Sequence, residues 1–478
     1  MLFNSIDFAI FLPIVFLVYW CFGRKHIRAQ NILIVVASYV FYGWWDWRFL
    51  FLILLSTLVD YTIGLALEKE DKVQKRKILL WASLLVNLGL LGFFKYFNFF
   101  IDNFTSAFSF FGHPIGGYSL NIILPVGISF YTFQTLSYTI DVYNKKLKPT
   151  ADFISFSAFV SFFPQLVAGP IERATNLLPQ FFKERNFNYE MAKNGLRQIL
   201  WGLFKKIVIA DNCAKYVNII FENHEAYSGS TLVLGAVFFA FQIYCDFSGY
   251  SDIAIGTARL FGFNLMQNFA FPYFSRDMAE FWRRWHISLS TWFRDYVYIP
   301  LGGSKVSKAK VIRNVFIIFL VSGFWHGANW TFIFWGGLNA LYFLPLLLLK
   351  RNRKNLNDVA ESSNFPSVRV VFQIAVTFSL TVFAWIFFRA ENIRQAFSYI
   401  RRIFSRSLFS LPKEMPLYLL ILLFLFIVIE WTGRKNQYAI EEFWINKPVY
   451  VRWGFYYLLA IGMYVYGIKD QEFIYFQF

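Results

Sequence analysis

The chain has 478 residues, 57% hydrophobic, 22% aromatic and only 16% charged, with a mean hydropathy of +0.45, whereas a soluble domain carries roughly 25% charge. That excludes an ordinary soluble enzyme and points to an all-α polytopic membrane protein, because 62 Phe, 27 Tyr and 16 Trp exceed what a water-facing fold can hide. The excess of 46 Lys and Arg over 29 Asp and Glu, a net +17, marks cytoplasmic loops beside anionic lipid, so no nucleic acid is needed to explain it.

In chain order, the first apolar run at 6–22 precedes its positive charges, Arg24, Lys25 and Arg28. A cleaved signal peptide has the reverse order, so this run reads as a retained first span with the N-terminus outside. Further stretches able to cross about 30 Å of hydrocarbon follow near 30–47, 49–67, 78–101, 119–142, 152–169, 194–211, 231–262, 311–329, 331–349, 369–389, 416–431 and 450–468. They predict about 11–13 transmembrane or re-entrant helices. The 231–262 stretch is too long for one straight span and contains Gly249 and Gly256, so a broken or strongly tilted helix is expected. The loops at 24–28, 69–77 and 145–148 are basic and read as cytoplasmic, while the alternate connections carry almost no positive charge. The polar segment 351–366 reads as a cytoplasmic loop. At 391–407, Ile393, Phe397, Ile400, Ile403 and Phe404 recur at helical spacing and predict an amphipathic helix on the outer face. Cys21, Cys213 and Cys245 lack metal or disulfide spacing and read as packing residues, and no internal repeat divides the single integral domain 1–478.

Of five histidines, His26, His113 and His224 fall in loops. His326 differs, because it lies in a run with no charged residue from Val315 to Leu349. A titratable group inside a span costs free energy and marks a candidate site. Gly323 and Gly327 flank it at GxxxG spacing, so a neighbouring backbone or a slender ligand can come close. The plainer alternative is a structural histidine bonded to a nearby carbonyl. His286 sits in the 273–303 segment, where Phe274, Met278, Phe281, Trp285, Leu289 and Trp292 recur every three or four residues and predict an amphipathic helix at the cytoplasmic side. Its other face carries Arg283, Arg284 and Arg294, with Trp282 beside Trp285. Guanidinium forks and indoles suit a phosphate-bearing ligand with a flat base, although the same arginines would serve lipid phosphates. Glu280 and Arg284 are spaced to pair on the helix surface. Asp60, Asp141, Asp211, Asp246, Asp252 and Arg259 are further intramembrane polar residues. Asp252 and Arg259, two turns apart, suggest a buried ion pair that holds the fold.

FPQLVAGPIER (163–173), GLRQILWGLFKKIVIADNCA (195–214), YCDFSGYSDIAIGTARLFGF (244–263), FWRRWHISLSTWFRDYVYIPLGG (281–303) and SGFWHGAN (322–329) resemble the bacterial membrane-bound O-acyltransferase family, most closely its alginate O-acetyltransferase branch. The match runs through most of the chain in the family's order. It implies a ring of helices around a central funnel in a bacterial inner membrane, with His326 at the catalytic position and His286 at a second recurrent polar position. It also implies a cytoplasmic thioester donor, acetyl-CoA or an acylated carrier protein, with no tightly bound cofactor and no metal. The acceptor is then a hydroxyl presented outside, on a polysaccharide such as alginate or on an extracytoplasmic acetyltransferase partner. In that reading His326 is the general base, with Asn329 or His286 as oxyanion donors, or else the group passes through an acyl-histidine. Transfer of D-alanine or acetyl to teichoic acid or peptidoglycan is the alternative within the family. Outside it, a transporter would be expected to show inverted repeats, which are not visible, and a secretion scaffold would lack activity of its own.

Overall fold

A computed structural model describes residues 1–22, 26–112, 119–361, 363–468, 473 and 474; Arg24, Lys25 and His113 lie outside them. Every regular element among the described residues is helical. Among the described residues six helices are long and apolar enough to cross a membrane: Ile27–Lys69, Val73–Phe110, Gly229–Leu260, Lys308–His326, Trp330–Leu348 and Val368–Arg389. Shorter apolar helices occupy Ile6–Cys21, Phe153–Leu166 and Leu417–Thr432. Unlike a soluble protein, the chain is apolar on the outside as well: on Leu417–Thr432, Leu417, Ile421 and Phe424 face outward, and Glu430 is buried beside Leu419, Leu423 and Phe426. The chain is a multi-pass membrane protein.

It folds into two compact units, residues 1–192 with 257–265, and residues 193–256 with 266–478. In the first, the 27–69 stretch turns at Asp46, whose backbone is extended (φ −159°, ψ 109°). The expected 119–142 span is helical only over Ile128–Tyr143, because Pro125 and the left-handed Gly127 (φ 76°) turn the chain just before it. The 152–169 span stops at Ser161 and restarts at Phe163, where Pro164 fits only a first helical turn. Asp60 is buried there as a hydrogen-bond hub, accepting from Ser83 Oγ (2.5 Å), Thr139 Oγ1 (2.7 Å) and Asn87 Nδ2 (2.8 Å).

The second unit contains both candidate histidines. The helix Gly229–Leu260, which lies in this unit as far as Gly256, runs unbroken for 32 residues, so of the two expected forms the broken one is excluded and the tilted one stands. Gly249 and Gly256 are contact points. A Cβ on Gly249 would lie 2.7 Å from the Gly202 carbonyl, and one on Gly256 would lie 2.5 Å from the Gly195 carbonyl. Both pairs are seven residues apart, so each pair lies on one face of its helix and the two backbones touch. Gly202→Ala is therefore expected to destabilise the protein by about 1–3 kcal/mol through overpacking. Gly89→Ala, where a Cβ meets nothing within 4 Å, serves as the neutral control in thermal melts of detergent-purified protein.

Ion pairs fix the same two elements. The helix Tyr189–Phe204 continues through a π turn, Lys205–Ala210, into Asp211–Glu222. Lys205 Nζ meets Asp252 at 2.5 Å and Ser248 at 2.9 Å, while Lys206 Nζ meets Asp211 at 2.8 Å and Asp246 at 2.9 Å. The buried-pair reading of Asp252 holds, but with Lys205 in place of Arg259, because these lysines sit directly across the glycine crossing. The 391–407 segment forms the helix Ile393–Ile403, which buries Ala396, Tyr399 and Ile403 against the protein. Phe397 and Phe404 of the expected apolar stripe are 49% and 71% exposed, pointing away from the protein.

Candidate active site

The expected 273–303 helix is instead two short helices, Met278–Arg284 and Ile287–Phe293, joined at His286. Asp277 caps the first by accepting from Glu280 N at 2.7 Å. His286 then takes a left-handed backbone (φ 43°, ψ 56°), which costs a non-glycine residue on the order of 1–2 kcal/mol. Histidine tolerates this region better than most residues, and two backbone hydrogen bonds brace it: Ile287 N donates to Asn268 O and Ala270 N donates to Arg284 O, both at 2.9 Å. The kink breaks the continuous apolar stripe and sends the imidazole inward, where it is 1% exposed. Its ring lies 4.6 Å from Phe247 and 6.1 Å from Trp325, and 6.4 Å from the ring of His326 (centroid distances). Burial among these rings lowers the His286 pKa below the usual histidine range and favours the neutral imidazole.

His326 is the last residue of the helix Lys308–His326, so the expected 311–329 span begins and ends three residues earlier. Gly327 is extended, and Asn329 caps the next helix, Trp330–Leu348, by accepting from Thr331 N at 3.0 Å. The imidazole thus stands at the apex of a helical hairpin, with Trp325, Trp335 and Phe388 ring centroids at 5.0–5.3 Å. Gly323 packs against the backbone at Phe332 and Gly336, and Gly327 against the Phe332 ring. The glycine spacing closes the hairpin by letting its two backbones touch.

A cavity of about 810 Å³ extends along this hairpin, lined at one end by the exposed cations Arg294, Lys308, Lys350 and Arg353. Val315, Phe319, Phe343 and Leu347 form an apolar wall, and the lining includes Ser322, one turn before His326, and Ile287, next to His286. Lys308 to Ser322 covers about 21 Å of helix at 1.5 Å per residue. Trp282 and Arg283 also line the cavity.

The structure places the other predicted residues as follows. The Arg283 guanidinium donates to the carbonyls of Asn352 and Asn355, both at 2.7 Å, which straps the 351–366 loop to this segment. Arg284 pairs with Glu280 at 3.1 Å, as its spacing predicted, and donates to Ala270 O. Arg294 pairs with Asp295 at 2.7 Å. Trp285 is a core residue, 1% exposed, stacked on Phe281 and 5.0 Å from Trp385, so it offers no face to a ligand base. Asn329 donates one amide N–H to the Glu391 carbonyl at 2.7 Å, and an amide nitrogen carries a second. Sequence reasoning missed Asn268 altogether. It also missed Lys308, Lys350 and Arg353, whose charges look merely topogenic until the hairpin brings both helix ends together.

The family model of the membrane-bound O-acyltransferases matches residues 40–388, which include both histidines and the whole cavity. The chain belongs to the membrane-bound O-acyltransferase family. Among its relatives in that family, it is 40% identical over 409 residues (85% of this chain, 75% of the relative) to a probable alginate O-acetylase from Pseudomonas aeruginosa. It is 35% identical over 430 residues (84% and 79%) to a peptidoglycan O-acetyltransferase from Helicobacter pylori. It is 31% identical over 253 residues (48% and 59%) to a teichoic acid D-alanyltransferase from Streptococcus thermophilus. The chain is an O-acyltransferase, and the helical core with its buried histidine pair is its candidate reaction centre.

Proposed function

We propose that the protein moves an acetyl group from a cytoplasmic thioester, acetyl-CoA or an acylated carrier protein, across a bacterial inner membrane for O-acetylation of an exopolysaccharide such as alginate. The juxtaposition that carries this reading is a pair of buried histidines, 6.4 Å apart, beside a long cavity that is cationic at one end and apolar along its wall. A phosphate-bearing head suits the cations and a slender arm suits the apolar wall. The 40% identity to alginate O-acetylases over 85% of the chain favours acetyl and a uronate polymer over the other family substrates.

His326 removes the proton from the acceptor hydroxyl as its oxygen attacks the thioester carbonyl. The tetrahedral intermediate then collapses, the carbon–sulfur bond breaks, and the thiolate takes the proton from His326. The acceptor is the polymer itself or a hydroxyl of an extracytoplasmic acetyltransferase partner. In this reading the cationic end of the cavity faces the cytoplasm, where the donor is made.

Purified protein given labelled acetyl-CoA is expected to label alginate, or a partner that passes the label to alginate. Label appearing only on peptidoglycan, or use of a D-alanyl donor alone, would replace this reading with the family alternative. Reversing charge at the cavity entrance, Lys308→Glu with Arg353→Glu, is expected to raise the donor KM by about three- to tenfold, the scale of solvent-exposed charge contacts, with little change in kcat. An unchanged KM would remove the cavity as the donor route.

A further inference from the structure

Asn268 reaches the turn at His286 twice, through its backbone at Ile287 and through its side chain at His286 itself. Besides the Ile287 N to Asn268 O bond that braces the left-handed turn, Asn268 Oδ1 lies 3.1 Å from His286 Nδ1, 3.3 Å from Ser288 N and 2.9 Å from Ser288 Oγ. Its Nδ2 donates to Ser251 Oγ at 3.0 Å on the helix Gly229–Leu260. The orientation of the amide follows from Ser288: a backbone N–H only donates, so the Asn268 atom that it meets is the carbonyl oxygen. The same oxygen faces His286 Nδ1, which therefore carries the hydrogen. In a neutral imidazole the lone pair is then on Nε2. That nitrogen is buried and has no hydrogen-bond partner among the described residues.

We propose that Asn268 is a positioning residue for acyl transfer, locking His286 as the Nδ1–H tautomer so that Nε2 is presented to bound substrate as a hydrogen-bond acceptor. This rests on the reading of the histidine pair as the reaction centre. It also changes the part expected of His286, because a neutral ring held in this way has no N–H left for an oxyanion and accepts from an O–H or N–H of the substrate. The closest titratable ring is that of His326; on the far side of Asn268, Lys205, Asp252, Glu430 and Tyr244 share with it and Ser251 the walls of a cavity of about 10 Å³, close to the volume one water needs.

The test uses purified full-length protein, labelled acetyl-CoA and the acceptor, with three variants. Asn268→Ala is expected to lower kcat by about 10- to 100-fold, the range seen when an orienting partner of a functional histidine is removed, with donor KM little changed. Asn268→Asp keeps the acceptor oxygen and adds charge beside Nδ1–H. It is expected to recover part of the rate and to move the acidic limb of the pH–rate profile to higher pH, because the carboxylate stabilises imidazolium. A residue that merely packed would leave that profile in place. His286→Ala separates the two levels: full activity there overturns the reading of the centre itself. Loss of activity in His286→Ala, together with wild-type kcat in Asn268→Ala or an unshifted profile in Asn268→Asp, overturns the positioning role alone. If Asn268→Ala fails to fold, the profile of Asn268→Asp decides.

Discussion

His326→Ala is expected to cut acyl transfer by about 100- to 10,000-fold while the protein stays folded, the range a positioned general base contributes. The fold should survive because His326 ends its helix and packs on the aromatic rings of Trp325, Trp335 and Phe388, while the hairpin is closed by glycine contacts at Gly323 and Gly336. The hydroxyl of an acceptor is a poor nucleophile at neutral pH, so the step that suffers is its deprotonation, and donor KM should change far less than kcat. Adding His286→Ala to His326→Ala should cost little more, because groups that act as a unit are not additive. Label transfer from acetyl-CoA, with gel filtration to show folding, measures both. A folded His326→Ala protein with wild-type transfer would sink the mechanism.

Lys206→Met is expected to be the most damaging of these substitutions to stability, at about 3–5 kcal/mol, the cost of removing one partner from a buried charge pair. Lys206 is 2% exposed and is the cation between Asp211 and Asp246, and Asp246 Oδ2 also accepts from Ile474 N at 2.7 Å. With the ammonium gone, two carboxylates remain close together in surroundings that solvate them poorly. Since whole domains are stable by only about 5–15 kcal/mol, a large fall in the detergent melting temperature and in folded yield should follow. Asp246→Asn on top of Lys206→Met relieves one of the stranded charges and should recover part of the loss. A Lys206→Met protein that melts with the wild type would show that the pair carries no such weight.

Much of the fold could be read from composition and periodicity. Apolar runs of about 20 residues have few fates other than a membrane span, which is why the long helices were predicted close to where they lie. The errors cluster where local chemistry interrupts a run. Pro125 and Gly127 delay one helix, Pro164 splits another, and the apolar stripe from Phe274 to Trp292 hides the kink at His286 because periodicity takes no account of φ. Gly249 and Gly256 were read as weak points because a glycine in isolation is flexible. Only a second helix with glycines at the same spacing shows them to be a contact surface.

The sequence by itself determined that the chain belongs in a membrane, that His326 is an anomaly in an uncharged apolar run, and that Glu280 and Arg284 pair, since each depends on residues near one another in the chain. Tertiary structure alone decided which residues the site contains. It brought His286 within 6.4 Å of His326 across 40 positions, matched Lys205 and Lys206 to aspartates on another helix, joined Lys308 to Lys350 at one cavity end, and set Asn268 against an imidazole 18 residues away. Hydrophobic burial drives such contacts without direction, and hydrogen bonds and charge pairs then select among them. That selection depends on distances that exist only once the helices have packed.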